Sequence, residues 1–132
     1  MGLIGSFGEV IFEVSSERIR TIHDFSRSAS ARWENHNIIL RKPTSEFIGP
    51  ELDTISFSMR FDAAWGVNPK AEMDKLLIMC REGRAEPLII GGFALGVYRW
   101  KITSVRQNWL RFDGRGRVIL GVADVTMEEY AR

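Results

Sequence analysis

The sequence predicts an α+β fold: mostly antiparallel β, closed as a sandwich or open barrel, with one amphipathic helix laid on it. Three observations carry this. Residues 53–62 alternate strictly, with Ile55, Phe57, Met59 and Phe61 against Thr54, Ser56, Ser58 and Arg60, the period of a half-buried strand. Residues 69–82 carry the one apolar stripe at helical spacing. The C-terminal third holds two apolar runs around Asp113-Gly114-Arg115-Gly116, a hairpin-turn composition.

Val10-Ile11-Phe12-Glu13-Val14 is β-branched and aromatic, which predicts a short strand ended by Ser15-Ser16. Residues 18–52 follow, where no period persists. Ala29 to His36 reads as a polar, exposed strand and Ile38 to Arg41 as another, with Pro43 and Gly49-Pro50 breaking what lies between. After the strand at 53–62, residues 63–67 form a turn carrying Trp65.

Asn68 is a strong N-cap, and Pro69 suits the first helical position, where a missing N–H costs nothing. Met73, Leu76, Leu77 and Cys80 supply the apolar stripe, and Gly83 suits the left-handed residue that ends a helix. The predicted helix spans about 69–82. Pro87-Leu88-Ile89-Ile90 is a buried strand running into a Gly91-Gly92 bend. Residues 96–105 form a strand with Tyr98, Trp100 and Ile102 on one face and Arg99, Lys101 and Thr103 on the other. Residues 108–112 and 117–127 flank the hairpin turn, with Val118, Leu120 and Val122 alternating, and residues 128–132 remain as a tail.

At 132 residues the chain has the size of one domain spanning 1–132, large enough for a real core. A net charge of +1 excludes a global field that would pull it onto nucleic acid or anionic lipid. One cysteine, Cys80, excludes an intramolecular disulfide. No apolar run is long enough for a signal peptide or a membrane span, so a soluble protein is expected.

Chemistry is sparse. His23 and His36 stand far in sequence from Cys80, without metal-ligand spacing, and Cys80 sits on the apolar helical stripe as core filler. Gly91-Gly92-Phe93-Ala94-Leu95-Gly96 lacks the Lys-Ser/Thr ending of a phosphate loop. No nucleophile, base and orienter come together, so neither catalysis nor a cofactor is expected. The basic stretch 99–117, with Trp109 and Tyr98, is compatible with a nucleic-acid backbone. Trp100 opposite Arg99 and Lys101 belongs instead to the core, and Arg and aromatics are favoured anchors of protein interfaces.

Residues 18–52 are the distinctive feature. They hold Arg18, Arg20, Arg27, Arg32, Arg41 and Lys42 together with Phe25, Trp33 and Phe47, a composition too aromatic for a disordered linker. Long irregular segments in compact domains usually have a task. An extended docking arm is predicted, and the candidate contact residues are Arg27, Arg32, Trp33, Phe47, Ile48, Arg111 and Arg115.

Gly5-Ser6-Phe7-Gly8-Glu9-Val10-Ile11-Phe12-Glu13-Val14-Ser15, Phe25-Ser26-Arg27 and Ala31-Arg32-Trp33-Glu34-Asn35-His36 point to a family. So do Lys42-Pro43, Glu46-Phe47-Ile48-Gly49-Pro50, Gly66-Val67-Asn68-Pro69, Pro87-Leu88-Ile89-Ile90-Gly91-Gly92 and Trp100-Lys101-Ile102-Thr103-Ser104-Val105. In this order, over nearly the whole chain, they resemble the gpU family of tail proteins from temperate contractile-tailed phages. The resemblance implies a non-enzymatic tail subunit of tail-tube-like fold, made in the bacterial host cytoplasm and residing in the virion tail or in a tailocin or prophage particle. It implies partners among the hub, tube and tape-measure proteins at the baseplate, a ring of copies, and no small-molecule substrate, cofactor or membrane. The alternative is a tail-completion factor that touches DNA through residues 99–117.

Overall fold

A computed structural model describes residues 2–8, 10–14, 19–20 and 22–131, and of residues 2–4, 10–14 and 19–20 the backbone alone. The expected strand end at Ser15-Ser16 and the charges of Arg18 and Arg20 lie outside what is described. The elements run β1 (Gly2–Phe7), β2 (Val10–Val14), β3 (Ile19–Arg20), β4 (Ile22–Ser28), β5 (Ala31–Ile38), β6 (Arg41–Pro50) and β7 (Thr54–Asp62). A 3-10 turn (Ala63–Trp65) leads to α1 (Pro69–Glu82), then β8 (Ala85–Glu86), β9 (Leu88–Ile90), β10 (Phe93–Ala94), β11 (Arg99–Phe112) and β12 (Val118–Tyr130).

The strands make three antiparallel sheets, in the orders β10-β9-β1-β2-β3, β4-β7-β12-β11-β8, and β5-β6. This is the α+β, predominantly antiparallel architecture expected, with the larger sheet curled into a half-barrel. Ile55, Phe57, Met59 and Phe61 of β7 point inward as their alternation predicted. Opposite them on β12 stand Met127, Val125 and Ala123, each directly paired across the ladder. Trp100 and Ile102 of β11, Phe7 of β1 and Leu88 of β9 complete the core, and the indole N–H of buried Trp100 donates to Leu95 O at 2.8 Å.

The helix forms where its caps place it. Asn68 Oδ1 accepts from Ala71 N–H at 3.3 Å, and Gly83 (φ 66°) closes the last turn by donating to Cys80 O. Its buried face is Met73, Leu76 and Met79, with Glu72; Leu77, expected on the stripe, is only half-buried. Met73 lies over Gly121, where a Cβ would stand 2.7 Å from Met73 Cε. Gln107 Nε2 donates to Met73 O at 3.2 Å and so ties the middle of the helix to β11.

Several expectations are corrected. Residues 22–28 are not part of an arm: β4 pairs along β7, with Ile22 opposite Met59 and Arg27 opposite Ile55. Pro43 and Gly49-Pro50 do not break the chain but lie within β6, whose outer edge has no ladder to interrupt among the described residues. The expected strands at 96–105 and 108–112 are one 14-residue strand, β11, whose alternation slips at Thr103 and Leu110 because the register shifts there. Tyr98 precedes that strand and is exposed, and Val122, paired with Arg60, faces away from the core side held by Gly121 and Ala123. Residues 128–130, read as a tail, are the end of β12.

Candidate assembly interface

β5 and β6 form a two-stranded ribbon that leaves the large sheet after Ser28 and rejoins it at Thr54. Apart from Gly49 at its root, every residue of the ribbon is exposed. Its base is clasped. Glu51 N–H donates to Ser30 O at 2.9 Å, and Arg27 Nε and Nη2 donate to Asp53 Oδ2 at 3.1 and 2.7 Å. Asp53 N–H donates to Glu129 Oε1 at 2.7 Å, and Glu129 N–H returns a bond to Asp53 O at 3.0 Å.

Period-two geometry splits the ribbon into two unlike faces. On one, Trp33 lies opposite Phe47, with ring centroids 5.1 Å apart in an edge-on arrangement, and Ser45 Oγ donates to Asn35 Oδ1 at 2.7 Å. Trp33 is 58% exposed and Phe47 55%. The other face carries Glu34 directly opposite Glu46, with His36 Nε2 3.5 Å from Glu46 Oε1. Ile48 is the extra residue of a bulge next to Phe47, half exposed. At the tip, Ile39 is 89% and Leu40 100% exposed, and Leu40 has φ 61°. That conformation brings Cβ close to a backbone carbonyl oxygen and costs a side-chain-bearing residue roughly 1–2 kcal/mol, and glycine or asparagine ordinarily takes it.

The sequence-predicted contact residues therefore separate into three places. Arg32, Trp33, Phe47 and Ile48 share the ribbon, and Arg32 also lines a groove of about 500 Å³ at its root with Glu51, Leu52, Tyr98 and Glu129. Arg27 lies on the core side of β4, holding Asp53 and covering the ring of Trp100 at 5.7 Å. Arg111 and Arg115 stand at the opposite end of the large sheet, where Phe112 pairs with Val118 and Asp62 with Leu120. The sequence reads Ile38 to Arg41 as a strand; the structure instead makes Ile39-Leu40 the turn between β5 and β6, so its apolar run forms an exposed tip.

The turn at that opposite end is rigid. Asp113 Oδ1 accepts from the N–H groups of Arg115 (2.8 Å) and Arg117 (3.0 Å), and Oδ2 accepts from Arg117 Nε at 2.9 Å. The two backbone donors, then the Arg117 guanidinium, hold the Asp113 carboxyl below its ordinary value of 3.8. The cations of this region are partly neutralised: Lys101 Nζ lies 3.3 Å from Glu128 and Arg117 Nε 2.9 Å from Asp113.

Among the described residues no His, Cys, Asp or Glu cluster has metal-binding geometry, and no helix is long and apolar enough to cross a membrane. His23 lies on β4 opposite Ser58, apart from His36 on the ribbon, and Cys80 packs half-buried against the core. No curated protein matches the chain. A family model described as Phage P2 GpU matches residues 8–132, nearly the whole chain, and the chain belongs to that family.

Proposed function

We propose that this member of the Phage P2 GpU family, a structural protein associated with phage tails, is a non-catalytic building block of the junction between tail tube and baseplate hub. Several copies surround the tail axis among the hub, tube and tape-measure proteins, and the β5–β6 ribbon is the arm by which each docks on a neighbour in the assembly. Assembly takes place in the bacterial host cytoplasm.

The observation that carries this reading is the Trp33–Phe47 pair, an aromatic cluster held in register on a ribbon that, among the described residues, has no third strand and no covering element. A lone two-stranded ribbon is marginal in water. Trp is among the commonest interface anchors, and rigid aromatic pairs bury large area at little entropic cost. A surface that exposes both rings without a partner is more useful in an assembly than in a free monomer.

Amide exchange on the full chain, free at low concentration and in assembled tails, tests the reading. Residues 31–50 exchange rapidly in the free chain while β7 and β12 are protected, and become protected in tails. Strong protection of residues 31–50 in the dilute monomer contradicts a docking arm. The reading in which residues 99–117 contact DNA has less support, because Glu128 and Asp113 take up Lys101 and Arg117 and Trp100 is buried. A steep salt-dependent affinity for duplex DNA is its signature.

A further inference from the structure

We propose that the occupant of the ribbon is a second copy of this chain: β5 of one copy adds as a new edge strand along β11 of the next, extending its five-stranded sheet. This rests on the docking-arm reading above and names the surface that receives the arm.

The large sheet has an unfinished edge. β8 pairs with β11 only at Trp100 and Lys101, and among the described residues no strand continues along 102–112 on that side. An uncovered edge of this length is a template for strand addition. Bulges at Thr103 and Leu110 leave residues 104–109 as its regular stretch. The sheet's opposite edge is a poorer template, because β4 slips register between His23 and Ser26, with Asp24 at φ 54°.

The ribbon offers one suitable strand. β6 contains Pro43 and Pro50, which lack the N–H a ladder needs, whereas Ala31–Ile38 contains no proline, so every residue it turns to its free edge, away from β6, can donate. The two-facedness also matches. On β11, Gln107 and Trp109 lie on the helix side, while Arg106 lies on the polar side opposite Asp124, whose carboxylate accepts from Ser58. Placed edge to edge, the Trp33 face of β5 continues the helix side and the Glu34 face continues the polar side. Registers one residue away would put aromatics against charge.

Charge points the same way. Glu34 and Glu46 are directly opposed in the ribbon, an arrangement that destabilises it in isolation. Exposed Arg106, which has no ion pair among the described residues, supplies the missing cation beside Glu34. Donor and acceptor are different surfaces of one chain, so the contact is heterologous and its repetition closes a ring or runs on as a helix.

The test is sedimentation of the full chain across concentration, with Arg106→Glu, Glu34→Arg and the double variant. Both changes are on exposed side chains and leave the fold intact. Concentration-dependent association is expected, weakened about tenfold by each single reversal and restored by the double, as cross-strand ion pairs behave. A chain that stays monomeric to millimolar concentration, or association indifferent to both reversals, overturns the proposal. Tail formation by a Trp33→Ala/Phe47→Ala variant separates the two ideas. If self-association is absent but these changes still block tails, the arm docks on another protein and only this inference fails; if tails form normally, the docking-arm reading fails.

Discussion

Arg27 and Asp53 close the root of the ribbon: both Nε and Nη2 of the guanidinium donate to the same carboxylate oxygen, across the point where the chain leaves the sheet and returns to it. Arg27 is anchored on β4 opposite Ile55, and Asp53 is held in turn by Glu129. The ribbon thus projects from a fixed base. Its orientation is set by the core sheet and its reach by eight- and ten-residue strands.

Asp53→Ala removes that clasp. Arg27 is more than a third exposed, so screening limits the loss, and destabilisation of about 1 kcal/mol is expected in urea unfolding. Faster amide exchange near Ser28 and Thr54, with β12 unaffected beyond Glu129, checks that the effect is local.

Gly121→Ala places a Cβ against Met73 Cε and Sδ, at 2.7 and 2.9 Å, in the fully buried helix–sheet contact. Overpacking of this kind costs roughly 1–3 kcal/mol. The two sites touch, so they couple. In a Met73→Ala background the added methyl group fills part of the space left by the thioether, and the penalty of Gly121→Ala shrinks or reverses. A double-mutant cycle of thermal unfolding measures this.

Much of the fold was legible because local chemistry and tertiary structure agree. Asn68, Pro69 and Gly83 mark the helix at both ends, and the alternation of residues 53–62 survives intact in β7. The rest was hidden for physical reasons. The ribbon turns through Ile39-Leu40, with Leu40 where glycine or asparagine is usual, so no turn signal marks the hairpin. β11 reads as two strands because bulges shift its period. The Trp33–Phe47 pairing depends on a register set by β6 bulges at Ile48 and at Lys42-Pro43, which no spacing in the sequence displays. Arg27 sits beside Trp33 in the list of basic and aromatic residues, yet β4 commits it to the core sheet while the chain carries Trp33 outward.

Leu40→Gly relieves the left-handed strain at the tip. The free chain is expected to lose nothing in stability, with the ribbon gaining up to about 1 kcal/mol from the easier turn. On the docking-arm reading tail assembly is expected to decline, because the change removes the fully exposed apolar side chain at the tip of the arm. Opposite signs in ribbon amide protection and in particle yield are the measurable outcome.

Asp113 titrates below the ordinary carboxylate value, so its ionised form is favoured by the fold. Its contribution is present above the unfolded carboxylate pKa near 3.8 and is lost as pH falls through the lower folded value. The amide resonances of Arg115 and Arg117 are therefore expected to hold steady down to about pH 4 and to shift together below it. Asp113→Asn retains one acceptor and weakens the pH response, which an NMR titration detects.

The most direct measurement is complementation of a tail-assembly system lacking this chain with the Trp33→Ala/Phe47→Ala variant, counting tails by electron microscopy and sedimentation. Both side chains are more than half exposed, so the body retains its thermal stability and circular dichroism. The account predicts at least a tenfold loss of assembled tails, the scale expected when an aromatic anchor pair contributes about 2 kcal/mol or more to an interface. Normal tail numbers from this folded variant would contradict it.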